Sequence, residues 1–160
     1  MSTLYVDTIN EKTSGNGVQI PGHVVQVVSS STTTQVINSS ASVVSTGISA
    51  SITPTSSSSK VMVAVSSTLL FGSNAGNLEV VFSLKRGGTT VATAETKDNT
   101  NAIVHLAETI SMSYLDSPAT TSATTYEVFF QETASINRYG STAINYNGRT
   151  GTITLMEIAQ

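Results

Sequence analysis

The sequence has 160 residues, enough for one domain with a substantial hydrophobic core. Only 11% of the residues are charged, Ser and Thr together make up nearly a third of the chain, and the formal net charge at pH 7 is −3. This composition excludes the basic surface of a nucleic-acid-binding protein, and the lack of cysteine excludes disulfides and thiolate metal sites.

Residues 1–22 are predicted to form an extended leader with little to bury by itself. Asn16-Gly17 is a strong signal for a tight turn within it. Because a lone hairpin is marginally stable in water, we expect the leader to pair with another copy, with the rest of the chain or with a different protein. Pro21-Gly22 is predicted to separate it from a head domain, residues 23–160. The predicted anchoring residues of the leader are Leu4, Val6, Ile9, Val18 and Ile20.

The first part of the head is predicted to contain short strands. Val24–Val28 is apolar on both faces, which indicates a strand that is covered on both sides. The polar stretch Ser29–Ser59 carries spaced β-branched residues, which favour short strands separated by long turns. Within it, Pro54–Ser59 is predicted to be a loop.

Four strands with alternating apolar residues are predicted next. They cover Lys60–Phe71, Leu78–Leu84, Ile103–Leu115 and Tyr126–Phe130, and Gly87-Gly88 turns the second into a short strand, Thr89–Val91. The final strand, Thr152–Ile158, is again apolar on both faces. About eight strands with turn signals between them predict an all-β fold, a jelly-roll-like two-sheet sandwich with an extended N-terminal β leader.

Strands that are apolar on both faces at both ends of the head predict contacts between subunits. In a monomer, one face of such a sheet is normally polar. We therefore expect self-association, with a homotrimer as its form. The residues predicted at the trimer interface are Val25, Val27, Glu108, Leu155, Met156 and Ile158.

Glu108 interrupts the apolar face of its strand, between Leu106 and Ile110. A lone buried carboxylate is costly unless it is paired or hydrogen-bonded. The favoured explanation is a β-bulge that turns Glu108 outward. The alternative is a carboxylate at a subunit interface, which would make assembly depend on pH. Its expected partners there are Lys60, Lys85 or Arg86.

Two stretches near the C-terminal end are rich in Asn, Arg and Tyr, the side chains that recognition loops use. A sugar or another cell-surface ligand would suit them. The alternative explanation is turn chemistry, because turns favour Asn and Gly. The candidate ligand-binding residues are Asn137, Arg138, Tyr139, Asn145, Tyr146, Asn147 and Arg149.

No catalytic, metal or cofactor site is predicted. His23 and His105 each lack a second His or acidic partner at ligand spacing. Glu127 and Glu132 are an odd number of residues apart and so point to opposite faces of one strand, unlike the paired carboxylates of a glycosidase. We expect a protein that is not an enzyme. We expect no membrane insertion either, because no apolar run approaches the ~20 residues of a span.

Both ends of the sequence resemble tail-fibre-like virion surface proteins of marine tailed phages, including cyanophages. The resemblance rests on Ser2–Ile9 and Ser14–Gly22 in the leader and on Thr152–Ala159 at the end, and the strand pattern extends it over most of the middle. It implies a homotrimeric virion protein whose head is like the tumour-necrosis-factor jelly roll. The chain has almost no shaft, so a fibre tip, a head fibre and a capsid decoration protein all remain open.

Together these observations predict a virion structural protein, made in the host cytoplasm because the first residues lack a signal peptide. Its leader would attach it to another virion protein, and its head would bind a host surface glycan or protein through three weak sites at once. One alternative is a capsid decoration protein that stabilises the shell. Another is a lectin-like carbohydrate-binding module.

Overall fold

A computed structural model describes residues 5–10, 20–74, 78–98, 103–133 and 142–160. In these ranges the fold is all-β, and no helix there is long and apolar enough to cross a membrane. One short 3-10 turn covers Tyr146–Gly148. The strands are β1 (Val24–Thr32), β2 (Val36–Asn38), β3 (Val44–Ile52), β4 (Lys60–Asn74), β5 (Leu78–Arg86), β6 (Thr89–Asp98), β7 (Ile103–Asp116), β8 (Thr124–Glu132), β9 (Thr142–Ile144) and β10 (Gly151–Ile158).

These strands form two antiparallel sheets. In the first sheet, β1, β10, β4 and β7 lie side by side in that order, and the short strands β9 and β2 extend the sheet from the later part of β4. In the second sheet the order is β3, β8, β5, β6. Without β2 and β9, the chain changes sheets at every connection except the β5–β6 hairpin, as in an eight-stranded jelly roll. The predicted jelly-roll-like sandwich is confirmed.

The core lies between the sheets and is built from alternate residues of each strand, because successive side chains of a strand point to opposite faces. In β4 the predicted inward residues Val61, Val63, Val65 and Leu69 are all buried. The rings of Phe82 and Phe130, from neighbouring strands of the second sheet, stack with their centroids 6.5 Å apart. The largest other buried apolar side chains are Tyr126, Ile48, Ile52, Leu84, Ile144, Ile153 and Leu155.

Two elements differ from the sequence prediction. β6 runs to Asp98 instead of ending at Val91, because it pairs with β5 along its whole length. Its later residues are Ala, Thr, Glu and Lys, which carry no alternating apolar signal. β9 was not predicted, and its three residues, Thr142–Ile144, are all buried.

A buried carboxylate joins the two sheets at one end of the sandwich. The Tyr126 hydroxyl donates a hydrogen bond of 2.6 Å to Asp116 Oδ2, and Arg86 forms an ion pair of 2.7 Å with the same oxygen. Burial and the hydrogen bond to Asp116 raise the pKa of the Tyr126 hydroxyl, so that it stays a donor. β7 of the first sheet is thereby tied to β5 and β8 of the second.

At the start of β10, Gly151 lies so close to Ile48 and Asn145 that no side chain fits at this position. Gly151 is buried, and a Cβ there would lie 2.6 Å from Ile48 Cδ1 and still closer to Asn145 Oδ1. Since both neighbours are buried, neither can move away easily.

We predict that Gly151→Ala lowers the free energy of unfolding by about 1–3 kcal/mol, the usual cost of overpacking a core. Urea denaturation of the purified protein measures this loss. The control is Thr152→Ala at the exposed neighbouring position, with an expected loss of about 0.5 kcal/mol or less. Equal losses in the two variants would contradict the close packing at Gly151.

Candidate functional site

The leader ends in a turn that is fixed to the head. The His23 N–H donates to the Ile20 carbonyl over 2.9 Å, and Gly22 has a φ of +83° at the third position, as in a type II turn. The Gly22 N–H donates to the Ala159 carbonyl (2.8 Å), and the Ala159 N–H donates to the His23 carbonyl (2.9 Å). The leader therefore leaves the fold beside the end of β10.

The described residues of the leader are exposed. Val6, Ile9 and Ile20 have exposed fractions of 52%, 57% and 51%. These apolar side chains contact water and are available to a partner, so the anchoring role stays a prediction. Leu4, Val18 and the predicted Asn16-Gly17 turn lie outside the described residues.

The outer face of the first sheet carries a row of apolar side chains across four strands. Val27 of β1 pairs with Met156 of β10, Met156 pairs with Met62 of β4, and Met62 pairs with Leu115 of β7. The two ends of the row, Val27 and Leu115, are 58% and 46% exposed. Beside it, Val24 pairs with Ile158 on the same face. We call this set the apolar face: Val24, Val27, Met62, Leu115, Met156 and Ile158.

The outer face of the second sheet has a different chemistry. Its one large aromatic ring among the described residues, Phe129, is covered by the Lys85 ammonium, which lies 4.2 Å from the ring centroid. Lys97 forms ion pairs with Glu79 and Glu95 at 3.3 Å and 3.2 Å. These charged groups favour contact with water, whereas the exposed side chains of the apolar face gain free energy when they are removed from it.

The residues predicted at the trimer interface occupy three environments. Val27, Met156 and Ile158 belong to the apolar face, and Val25 is partly buried at an irregularity in the β1–β10 pairing. The structure contradicts the predicted interface role of Leu155, because its side chain is fully buried in the core of one chain and so cannot contact another subunit. It has Met156 as its sequence neighbour, and the pleat turns the two in opposite directions.

The structure also contradicts the prediction that a β-bulge turns Glu108 outward. The pairing of β7 with β4 is continuous through Thr109, Glu108 and Ala107. Glu108 therefore stays on the inward side of β7, partly buried, and accepts a hydrogen bond of 2.8 Å from Thr96 Oγ1 in β6. It lies between the sheets and not on the apolar face.

The expected cationic partners of Glu108 interact with other groups. Lys85 covers Phe129, and Arg86 is paired with Asp116. Lys60 begins β4 opposite Ile158, nine residues from the position that pairs with Glu108.

A second buried carboxylate holds the strands that carry the apolar face. Glu157 of β10 is fully buried and accepts a hydrogen bond of 2.6 Å from Gln26 Nε2 in β1. The Thr55 N–H and hydroxyl, from the loop between β3 and β4, each donate to Glu157 over 2.8 Å. Burial alone would raise the pKa of Glu157, but the hydrogen bonds from Gln26 and Thr55 outweigh it and lower the pKa. A period-two count from Ile153 and Leu155 would have placed Glu157 inward.

The candidate recognition loop divides into structural and exposed residues. The structure contradicts the predicted ligand-binding role of Asn145, because this side chain is fully buried. Its amide donates to the Thr34 carbonyl (2.9 Å), and its Oδ1 accepts from Ser67 Oγ (2.7 Å). With a φ of 53° it occupies the left-handed region that Asn tolerates in turns. Its side chain is therefore committed to holding the turn.

The other described candidates of this loop, Tyr146, Asn147 and Arg149, come after Asn145 in the sequence. Tyr146 is partly buried, while Asn147 and Arg149 are exposed. The Arg149 N–H donates to the Tyr146 carbonyl over 3.2 Å and closes the turn, and Asn147 has a φ of 56°. Turn chemistry thus accounts for both asparagines, and ligand binding by Tyr146 and Arg149 stays a prediction. Asn137, Arg138 and Tyr139 lie outside the described residues.

The acidic residues of β8 point to opposite faces, as predicted. Glu132 is buried and accepts hydrogen bonds from the N–H (3.0 Å) and the hydroxyl of Thr142, while Glu127 lies on the outer face beside Ser45. In the described ranges no cluster of three or more His, Asp or Glu side chains could hold a metal ion.

No family model and no curated protein matches the sequence. Solved structures of infectious bursal disease virus are similar to it at low identity. The T13 viral particle has 15% identity and a TM-score of 0.42, and the match covers 86% of this chain and 37% of that chain. The T=1 particles have 15% identity and a TM-score of 0.41, and the match covers 98% of this chain and 41% of that chain. The VP2 subviral particle has 16% identity and a TM-score of 0.39, and the match covers 86% of this chain and 39% of that chain. This chain spans about two fifths of the length of those chains.

We predict that Glu157→Gln flattens the acid side of the stability curve. The folded-state pKa of Glu157 lies below its unfolded value, so its stabilising contribution is complete above the unfolded pKa and is lost as the pH falls through the folded pKa. Urea denaturation at a series of pH values from neutral downward should show a smaller loss for the variant than for the unmodified protein. Glu95→Gln on the exposed outer face is the control. Parallel curves for the Glu157 variant and the unmodified protein would refute this role.

Proposed function

We propose that this protein is a structural component of a virion surface and assembles as a homotrimer through its apolar face. The apolar face is the observation that carries the proposal. Removing apolar surface from water contributes about 25 cal/mol per Å², and the ends of the row, Val27 and Leu115, are 58% and 46% exposed. The charged outer face of the second sheet offers no comparable gain, which supports an assembly with that sheet turned to solvent.

The position of the apolar row suits a closed ring. A cyclic trimer requires two different patches of one chain to meet, one from each neighbour. Val27 lies on β1 and Leu115 on β7, the opposite edge strands of the first sheet. Contact of the β1 side of one copy with the β7 side of the next would close the ring and cover both ends of the row.

The two ends of β10 support an outward orientation of the head. The leader leaves beside Ala159, next to Val24 and Ile158, whereas Tyr146–Arg149 directly precedes the start of β10. At about 3.3 Å per residue these ends are roughly 25 Å apart. Three leaders would emerge together and attach to another virion protein, and the Tyr146–Arg149 turns would face outward. In this arrangement the protein would serve as a phage tail-fibre tip that binds a host surface glycan or protein.

We predict that Val27→Lys and Leu115→Lys each convert the trimer to a monomer, because a charge buried in an apolar contact costs several kcal/mol. Sedimentation velocity of the purified proteins measures the mass, and circular dichroism verifies that the variants are folded. The control is Thr93→Lys on the outer face of the second sheet, which should remain a trimer. A trimer in both apolar-face variants would contradict the proposed interface.

We predict that a chain starting at His23 still forms a trimer, because the apolar face belongs entirely to the head. Light scattering of the full-length and shortened proteins tests this. A trimer only with residues 1–22 present would make the leader the interlocking element. A monomer in both would refute the trimer and favour a capsid decoration protein whose partner is the shell.

A further inference from the structure

Two edge segments of the first sheet are suited to pairing with a further strand. They are residues 27–31 of β1 and residues 111–115 of β7, the outer strands of the β1–β10–β4–β7 part of the sheet. Neither segment contains a charged residue or a proline, and each pairs without a break with its inner neighbour, β10 or β4. A regular edge of this kind presents its backbone N–H and C=O groups to another strand.

The edge strands of the second sheet, β3 and β6, are protected against such pairing. The pairing of β3 with β8 is irregular between Ser45 and Ser49, where Gly47 has a φ of +73°. β6 carries Glu95 and Lys97. Irregularities and charged side chains are the devices by which proteins prevent pairing at sheet edges. The contrast favours the first sheet as the one whose edges meet another copy.

The strand directions of the first sheet suit a cyclic continuation. β1, β10, β4 and β7 are each antiparallel to the next, so β1 and β7 run in opposite directions. A rotation about a threefold axis that runs roughly along the strands leaves their directions unchanged. β7 of the next copy would therefore lie antiparallel to β1, as neighbouring strands do in the rest of the sheet.

One register places apolar residues opposite each other on both faces of such a continued sheet. If Val27 lies opposite Leu115 of the next copy, Val28 lies opposite Tyr114, because antiparallel strands run in opposite directions. Val27 and Leu115 are the exposed ends of the apolar row, and Val28 and Tyr114 are partly buried against the core. A shift by two positions in either direction would place Val27 opposite a serine.

We propose that β1 of one copy pairs with β7 of the next copy, so that the first sheets of three copies form one continuous sheet around the threefold axis. The Val27–Leu115 pair would close the apolar row, and the Val28–Tyr114 pair would join the cores of neighbouring copies. This inference rests on the proposed homotrimer and adds main-chain hydrogen bonds to its apolar contacts.

The sequence contains no cysteine, so introduced cysteines can form disulfides only with each other. Within one chain, Val27 and Leu115 are separated by three strand spacings of about 4.8 Å, roughly 14 Å in all. This separation is too large for a disulfide, whose Cα atoms lie within about 7 Å of each other. A disulfide in the double variant Val27→Cys/Leu115→Cys must therefore join two copies.

The test is oxidation of full-length double variants, followed by denaturing electrophoresis without reducing agent. We expect covalently linked dimers and trimers from Val27→Cys/Leu115→Cys and from Ser31→Cys/Ser111→Cys, which the register places opposite each other. The control, Val27→Cys/Ser111→Cys, recombines the same positions and should stay unlinked, because its cysteines would lie four residues apart along the strands, roughly 13 Å.

Sedimentation velocity of the unmodified protein and of the reduced variants shows separately whether the trimer forms. Ser31→Cys/Ser111→Cys leaves the apolar face intact, so a trimer of this variant without a disulfide would overturn the strand pairing and leave the trimer standing. A monomer of the unmodified protein would overturn both. A disulfide only in Val27→Cys/Leu115→Cys would show that the row ends meet without paired strands, and equal linking in the control would show chance collisions. Either result would also overturn the proposal.

Discussion

The antiparallel pairing of β10 with β1 on one side and β4 on the other is the interaction on which the rest of the structure depends. β10 pairs with β1 from Gly151 to Ile158 and with β4 from Thr152 to Ile158. Its inward residues Ile153 and Leu155 are fully buried, while Met156 and Ile158 point outward into the apolar face. β10 begins at Gly151, which packs closely against Ile48 and Asn145, and it ends beside Ala159, where the leader is fixed. The core, the candidate assembly surface and the exit of the leader therefore share one register.

Buried carboxylates fix this register in a chain with few charges. Glu157 ties β10 to β1 and to the β3–β4 loop, and Asp116 ties the first sheet to the second. Glu132 connects β8 of the second sheet with β9 of the first. A buried carboxylate is costly by itself, but each of these accepts at least two hydrogen bonds from specific donors. A slip of one residue would leave these groups unpaired, so they favour one pairing over all others.

Two directional differences in the fold support the proposed assembly. One row on the outer face of the first sheet is apolar, whereas the outer face of the second sheet carries ion pairs and a cation over an aromatic ring. The leader leaves at one end of β10, and the Tyr146–Arg149 turn precedes the other.

The sequence by itself determined the class of fold. Alternation of apolar residues predicted β4, β5 and β7 nearly in full and the central part of β8, and β10 was predicted as a strand that is apolar on both faces. Pro21-Gly22, predicted to separate the leader from the head, lies in a turn. Alternation divides a strand into two faces, but where both are apolar it does not say which face is inside. The sequence therefore grouped Leu155 with Met156, although only Met156 faces outward.

Only the tertiary structure decided the chemistry of the sites. Glu108 was expected to turn outward at a bulge, yet its pairing with β4 and its Thr96 partner keep it between the sheets. Asn145 was expected to bind a ligand, yet Thr34 and Ser67 hold it inside the fold. Glu157 was not selected, because its partner Gln26 lies 131 residues away. The physical reason is common to all three residues: a polar side chain can be buried only where hydrogen-bond partners meet it, and these partners lie far away in the sequence. Periodicity can place Glu108 and Glu157 on the inward face, but it carries no information about those partners.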